Sequence, residues 1–398
     1  MLLFRHVWLL VGLMSGFGSA ETTANLGIWD VDKSCDTDAT YLQESMDVAL
    51  GIATAAQDSL NFVLQKQPNK DEDPDGYLKW NRIYRAAVAT LGFAPRLSVA
   101  QSPSDQYFSD AFRIFDKIVA TLPSAQNDPA DGYVAKLKNR DGAKPKIICG
   151  DDAWDWLGLE DKVPGKSYTL MQEKDFAQLI LDGREGAWYN DDRWVWKNTE
   201  REKPVFCRPG LWASVYWSYD MIVFCDRMFT DKAKSLPSPK TLKASGISEN
   251  DKLGTHAAHL SVIMVHELTH WYGGVETNTD GSLILNKPII LDQTAVDVTG
   301  KLIYHVNGKD QVFKTPPSDE QAKKNGWDRV LTYGQRDVWN LAKTNKGSTA
   351  DNSGPKKALK NADSLSLFAL MMYLDEWDWS DKGEARIPGK KYKRERDE

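Results

Sequence analysis

Residues 263 to 272 read Ile-Met-Val-His-Glu-Leu-Thr-His-Trp-Tyr. In an α-helix, side chains four positions apart lie on one face, so His266 and His270 can both reach a single metal ion. This is the H-E-x-x-H spacing of a Zn²⁺ site, with Glu267 next to any water bound there. Val262 to Val265, Leu268, Trp271 and Tyr272 are all uncharged. A helix apolar on most sides has to be wrapped by the rest of the chain, which constrains the fold more than any other stretch does.

The chain begins with Arg5 and His6, an apolar run from Val7 to Leu13, and small residues ending at Gly18-Ser19-Ala20. That layout is expected of a secretory leader at residues 1–20, cleaved after Ala20. The apolar run is shorter than the ~20 residues a membrane helix needs, and no later stretch approaches that length. The expectation is an exported, extracellular protein without a membrane partner. Its net charge is −6, and one unit more negative once Arg5 leaves with the leader. General nucleic-acid binding, which needs a basic face, is therefore excluded. The mature chain keeps Cys35, Cys149, Cys207 and Cys225. An even count in an exported chain predicts two disulfides, with three pairings open.

Leu42, Met46, Ala49, Leu50, Ala53, Leu60 and Leu64 recur at helical spacing and predict a helix over 39–66. Others are expected over 78–91, about 105–122 with Ser104 as N-cap, and 359–377. Lys146–Cys149 reads as a strand. So does Ala213–Cys225, with an interruption at Asp220. Asp151, Asp152 and Asp155 read as a solvated turn with aromatic anchors, while Trp188, Trp194 and Trp196 fall in a loop-like region. Residues 231–254 and 314–325 read as polar loops. The fold class expected is α+β, helix-dominated. A mainly helical region over 21–205, scaffold or partly pro-segment, precedes a catalytic region over 206–380 and a charged mobile tail over 381–398.

His259 shares the face of His266 but lies about 10 Å along the axis, too far to bind the same ion. His305 is a possible ligand from elsewhere. Gly273-Gly274 can turn the chain back so that Glu276 coordinates, a metzincin-like spacing with Glu where that pattern has His. A glutamate from a following helix, as in gluzincins, is poorly served, because the next is Glu320 in a polar loop.

Tyr333-Gly334, Leu341-Ala342, Ala358-Leu359, Asn361-Ala362-Asp363-Ser364 and Phe368-Ala369, with Ile222-Val223-Phe224-Cys225 upstream, occur in the order seen in the deuterolysin or aspzincin group. The chain resembles these secreted fungal zinc endopeptidases, and their peptidyl-Lys metalloendopeptidase relatives, over roughly 210–375. The resemblance implies a zincin-type fold, one catalytic Zn²⁺, a protein or peptide substrate, an aspartate as third ligand and Tyr333 as a site tyrosine. The family pattern, Gly-Thr-x-Asp-x-x-Tyr-Gly, is not kept: Val330 stands three residues before Tyr333. The ligand is then Asp328, displaced by two, or Asp297, ahead of an insertion spanning roughly 307–326. Asp297 is preferred, with Asp292 behind both. Glu267 is expected to act as general base, and Asn361 and Asp363 to cap or pin the last helix. Two rivals stand beside this reading. One is a secreted binding protein or effector that keeps the fold and acts by contact. The other is a carbohydrate-binding module built on the Trp-rich middle.

Overall fold

The computed structural model describes residues 26, 28–96, 106–122, 145–173, 183–190, 193–195, 201, 203–279, 283–343 and 354–390. The expected leader, Ser104, Trp196, the side chain of Trp194 and the last eight residues lie outside that set. The described residues form a mixed α+β arrangement in which helices dominate and the sheets are small.

Helix α1 (Ala39–Leu64) buries Leu42, Met46, Ala49, Ile52, Ala53, Ala56, Leu60 and Val63. The steps of three and four place them on one stripe. Helix α2 (Pro74–Ala86) starts where Asp73 accepts from the Gly76 amide at 2.9 Å, with Pro74 at a position that has no helical partner to lose. Helix α3 is Gln106–Thr121.

Strands β1 (Asp30–Val31) and β2 (Lys146–Cys149) pair in parallel. The chain then forms a small meander, β3 (Asp155–Gly158), β4 (Gly186–Asn190) and β5 (Arg193–Val195), before returning as the hairpin β6 (Ala213–Tyr216) and β7 (Met221–Phe224). The principal sheet runs β1-β2-β7-β6, with β6 at its edge. Asp220 sits between the hairpin strands at φ 52°, and this left-handed residue is the interruption expected within 213–225.

Helix α4 (Leu260–Gly273) carries the two histidines, and every residue in it except Ile263 is buried. It packs on α1, on α3, on β6 and on the last long helix. Trp271 lies between Trp29 and Trp217, at centroid distances of 4.7 and 6.5 Å. The Thr121 and Tyr272 hydroxyls share a hydrogen bond of 2.5 Å. Burial pushes the Tyr272 phenol up to about 12, so it stays protonated. The core extends from Leu26 to Ala385, so α1 and α3 share buried surface with the histidine helix.

Disulfides join Cys35 to Cys149 and Cys207 to Cys225, choosing one of the three pairings. The first closes a separation of 114 residues and ties the entry of α1 to β2. Beside it Lys146 Nζ lies 3.3 Å from Asp32 and 3.0 Å from Asn190, all buried. Burial opposes ionisation of Asp32, but hydrogen bonds from Ser34 and the Lys146 charge hold its pKa below the ordinary value. Removing one partner of such a pair strands a buried charge, which makes the ion pair a clamp between sheet and helix entry.

Several loop expectations change. Asp151 is buried and accepts from the Phe206 and Cys207 amides, so it pins a second chain segment instead of facing solvent. Trp154 and Trp188 are buried with Val195 and Phe206, so these two indoles offer no face to a sugar. Residues 231–254 hold two short helices, capped by Thr230 and Ser238, and the start of a third at Leu253–His256. The tail expected to be mobile from 381 instead begins as a hairpin, β13 (Asp378–Asp381) with β14 (Glu384–Arg386). Trp379 and Ala385 are buried beneath it, which holds it against the body. No helix among the described residues is long and apolar enough to cross a membrane.

Candidate metal centre

Helix α4 is capped by a histidine. His259 Nδ1 accepts from the Ser261 amide at 3.1 Å, so its place is the helix entry and not the metal. An accepting Nδ1 must be unprotonated, and burial lowers the His259 pKa to about 4. An unfolded histidine titrates near 6.5. Below that pH the unfolded chain takes up a proton that the folded one refuses. This contribution to stability is therefore complete above about pH 6.5 and is lost as pH falls through about 4. His259→Asn keeps a capping acceptor but cannot titrate. Thermal unfolding between pH 7 and 4.5 should show a smaller acid decline in the variant, by at most about 3 kcal/mol. An identical decline would refute the assignment.

At the other end the helix stops at Gly273. A Cβ there would meet Ile290 side-chain atoms at 2.6 Å, so only glycine allows the returning chain this close. Gly274 (φ 84°) turns the backbone. The hairpin β8 (Val275–Thr277) and β9 (Leu283–Pro288) then carries the chain out and back, and the Ile289 amide closes on the Gly274 carbonyl at 2.7 Å. The next residues therefore run alongside the histidines. Ile290 offers its carbonyl to His270 Nδ1 at 2.9 Å, and Asp292 projects its carboxylate between the two imidazoles.

The three atoms form a triangle. Asp292 Oδ1 lies 3.2 Å from His266 Nε2 and 3.3 Å from His270 Nε2, and the two Nε2 atoms are 3.2 Å apart. For metal–ligand bonds of about 2.0 Å, ligand atoms at the corners of a tetrahedron stand roughly 3.3 Å apart. The triangle has the dimensions of one face of such a tetrahedron. Asp292 Oδ1 is buried and makes no hydrogen bond of acceptable geometry despite its two close nitrogens, a cost that a cation between them removes. His270 faces a carbonyl, which can only accept, so its Nδ1 carries the proton and its Nε2 lone pair points inward. His266 Nδ1 faces the Asp363 carboxylate at 3.3 Å in the same sense. His266, His270 and Asp292 could hold a metal ion.

The electrostatics agree. Burial disfavours a charged His266, yet the adjacent Asp292 carboxylate outweighs burial and raises its pKa well above the ordinary value. Asp292 is likewise opposed by burial, but the two imidazoles hold it far below the usual carboxylate range. Asp292 therefore stays ionised between the two imidazoles. Glu267 is 4 % exposed, and burial raises its pKa, with His266 and His270 pulling the other way and Asp292 adding to the rise.

No family model, curated protein or solved structure matches this chain.

Of the expected third ligands, neither Asp297, Asp328 nor Glu276 joins the histidines. Asp297 spends its carboxylate on its own turn, accepting from the Thr299 amide and hydroxyl and the Lys301 amide at 2.8–2.9 Å. Asp328 is exposed on a strand described next, and Glu276 is exposed on β8, 3.7 Å from Lys287. The residue ranked behind them, Asp292, is the one brought to the site. His305 is exposed and faces Asp310 at 3.0 Å.

Tyr333 does reach the centre. Its hydroxyl donates to Asp292 Oδ2 at 2.7 Å, across 41 residues of sequence, and its ring centre lies 6.2 Å from that of His266. The intervening segment folds as its own sheet of β10 (Ile303–Val306), β11 (Lys309–Val312) and β12 (Asp328–Arg329), in the order β11-β10-β12. Bonds from Ala295 to Val330 and from Thr332 to Gln293, both 2.7 Å, close its neck. The segment 293–332 therefore separates the Asp292 carboxylate from Tyr333-Gly334 in sequence but not in space. Burial, reinforced by the Asp292 charge, raises the Tyr333 pKa, so the phenol remains a donor.

After the tyrosine come α5 (Gly334–Lys343) and α6 (Ala362–Tyr373). Asn361, expected to cap or pin the last helix, stands at the N-cap position of α6 and donates from Nδ2 to Ser364 Oγ at 3.0 Å. Its Oδ1 also accepts from the Gln293 amide at 2.9 Å and steadies the backbone beside Asp292. Sequence reasoning also missed the Ile290 carbonyl and the contact of Asp363 with His266. The one available signal was the Asp280-Gly281 pair followed by a β-prone run, which announces a hairpin that returns the chain.

Proposed function

We propose that this chain is a zinc-dependent endopeptidase of the zincin type, similar to the aspzincins, acting outside the cell. The observation that carries the proposal is the triangle of two Nε2 atoms and one carboxylate oxygen beside a buried glutamate. His266, His270 and Asp292 would hold the ion through three protein ligands, which leaves a position open, as catalytic zinc sites do and structural ones do not. Bound there, zinc supplies Lewis acidity that makes water nucleophilic near neutral pH and polarises a peptide carbonyl.

Glu267 takes the proton of the attacking water and returns it to the leaving amine. Its burial, which raises its affinity for a proton, suits a group that must accept one and release it again. Tyr333 stays protonated and holds Asp292 in place through the 2.7 Å bond. The far edge of β6 pairs with no strand among the described residues, and β6 packs on α4. An extended peptide can add to such an edge through main-chain hydrogen bonds. Tyr216 lies on that strand, and its pKa is raised by burial first, with the Glu267 charge among the lesser contributors. Two disulfides suit an oxidising, extracellular setting.

Metal analysis of the purified protein should return one equivalent of zinc. Casein and a mixed peptide library should be cut, cutting should stop on chelation, and zinc should restore it. Zinc bound at full occupancy with no peptide cut would overturn the protease reading in favour of a binding protein or effector.

A further inference from the structure

Asp363 occupies the second position of α6 and belongs neither to the metal triangle nor to the proton transfer assigned to Glu267. Its two oxygens go to different places. Oδ1 lies 3.3 Å from His266 Nδ1, and Oδ2 accepts from the Gly334 amide at 2.5 Å. Gly334 follows Tyr333 directly and adopts φ +76°, a left-handed turn in which its amide faces α6. One carboxylate therefore touches both the histidine that offers a lone pair to the metal and the turn that presents the tyrosine hydroxyl to Asp292. Three separate chain segments, α4, the 333–334 turn and α6, meet on this side chain.

We propose that Asp363 is the positioning residue of the metal centre, holding His266 with its proton on Nδ1 while seating the Tyr333–Gly334 turn. The proposal rests on the reading of His266, His270 and Asp292 as a zinc site. An imidazole binds a metal through the nitrogen that lacks a proton, and the partner of the other nitrogen decides which one that is. A carboxylate can only accept, so it draws the proton to Nδ1 and leaves Nε2 bare toward Asp292. His270 receives the same instruction from the Ile290 carbonyl. Among the described residues, His266 has only Asp363 for it.

Asparagine separates the two duties. An amide has one accepting oxygen and one donating nitrogen. If the oxygen continues to receive the Gly334 amide, the NH₂ group faces His266 Nδ1 and forces the proton to Nε2, where it blocks the metal. If the amide turns over, Gly334 meets a donor and the turn loses its anchor.

The test is competition for Zn²⁺ between the full-length protein and a chromophoric chelator, with near-ultraviolet circular dichroism to confirm the fold. Asp363→Asn should weaken Zn²⁺ binding by about 10–100-fold, the usual effect of losing the partner of a ligating histidine. A folded variant with wild-type Zn²⁺ affinity overturns the proposal. A second measurement needs no variant. Ring ¹⁵N spectra of the Zn²⁺-loaded wild type should show His266 bound through Nε2, with a slowly exchanging proton on Nδ1. Binding through Nδ1 overturns the proposal even if the variant fails to fold. If the wild type itself binds no Zn²⁺, the reading of the site falls, and the proposal with it.

Discussion

Asp292→Ala is expected to empty the metal centre, while Asp297→Ala and Asp328→Ala leave it filled. Asp292 supplies the only carboxylate oxygen in the triangle, 3.2 and 3.3 Å from the two imidazole nitrogens. Without it two neutral histidines remain, which is one protein ligand fewer than catalytic zinc requires. Zinc content after gel filtration should fall from one equivalent to near zero, and peptide cutting should vanish with it. Asp297→Ala should cost only the turn it caps, seen as a modest fall in melting temperature with metal retained. Metal kept by Asp292→Ala and lost by Asp297→Ala would return the ligand to the residue favoured by sequence reasoning alone.

Glu267→Gln should keep zinc and lose turnover. The amide is close to isosteric, and the carboxylate is not a member of the triangle, so metal content should stay at one equivalent. What disappears is the group that accepts and returns the proton. A positioned general base contributes about 10²–10⁴-fold in rate, and kcat/KM for a labelled peptide should fall by roughly that factor. Retained turnover in the variant would remove Glu267 from the mechanism. Lost zinc would mean instead that its buried carboxylate helps to hold the ion.

The helices were the most legible part of the chain, for a simple reason. Leu42, Met46, Ala49, Ala53 and Leu60 repeat at the period of the backbone they occupy, and α1 forms over nearly the expected range. His266, Glu267 and His270 were legible on the same ground, because spacing within one helix is spacing in three dimensions. Polar stretches were read less well. Asp151 and Trp188 looked like loop residues because their partners, the Phe206 and Cys207 amides and the packed Val195, come from elsewhere in the chain. A side chain paired by a distant segment carries no local mark of being buried.

The third ligand shows the same limit. Asp292, Asp297 and Asp328 stand within 37 positions of one another in similar apolar-polar settings, and nothing local ranks them. The hairpin of β8 and β9 ranks them, because its length returns the chain to the histidines at 290–292 and no later. Distance from Tyr333 misled for a related reason. The sheet of β10, β11 and β12 is closed at its neck by short bonds, so 41 residues of sequence separate two side chains in hydrogen-bond contact.

By itself the sequence determined a buried helix with two imidazoles and a carboxylate in fixed mutual order, because helical geometry converts sequence spacing directly into position. It also determined the count of cysteines, though not their pairing. Only the tertiary structure decided that Asp292 completes the triangle, that Tyr333 braces it, and that Asp363 and the Ile290 carbonyl orient its histidines. Each of these is a contact between segments far apart in the chain, and such contacts depend on where turns and packing return the backbone.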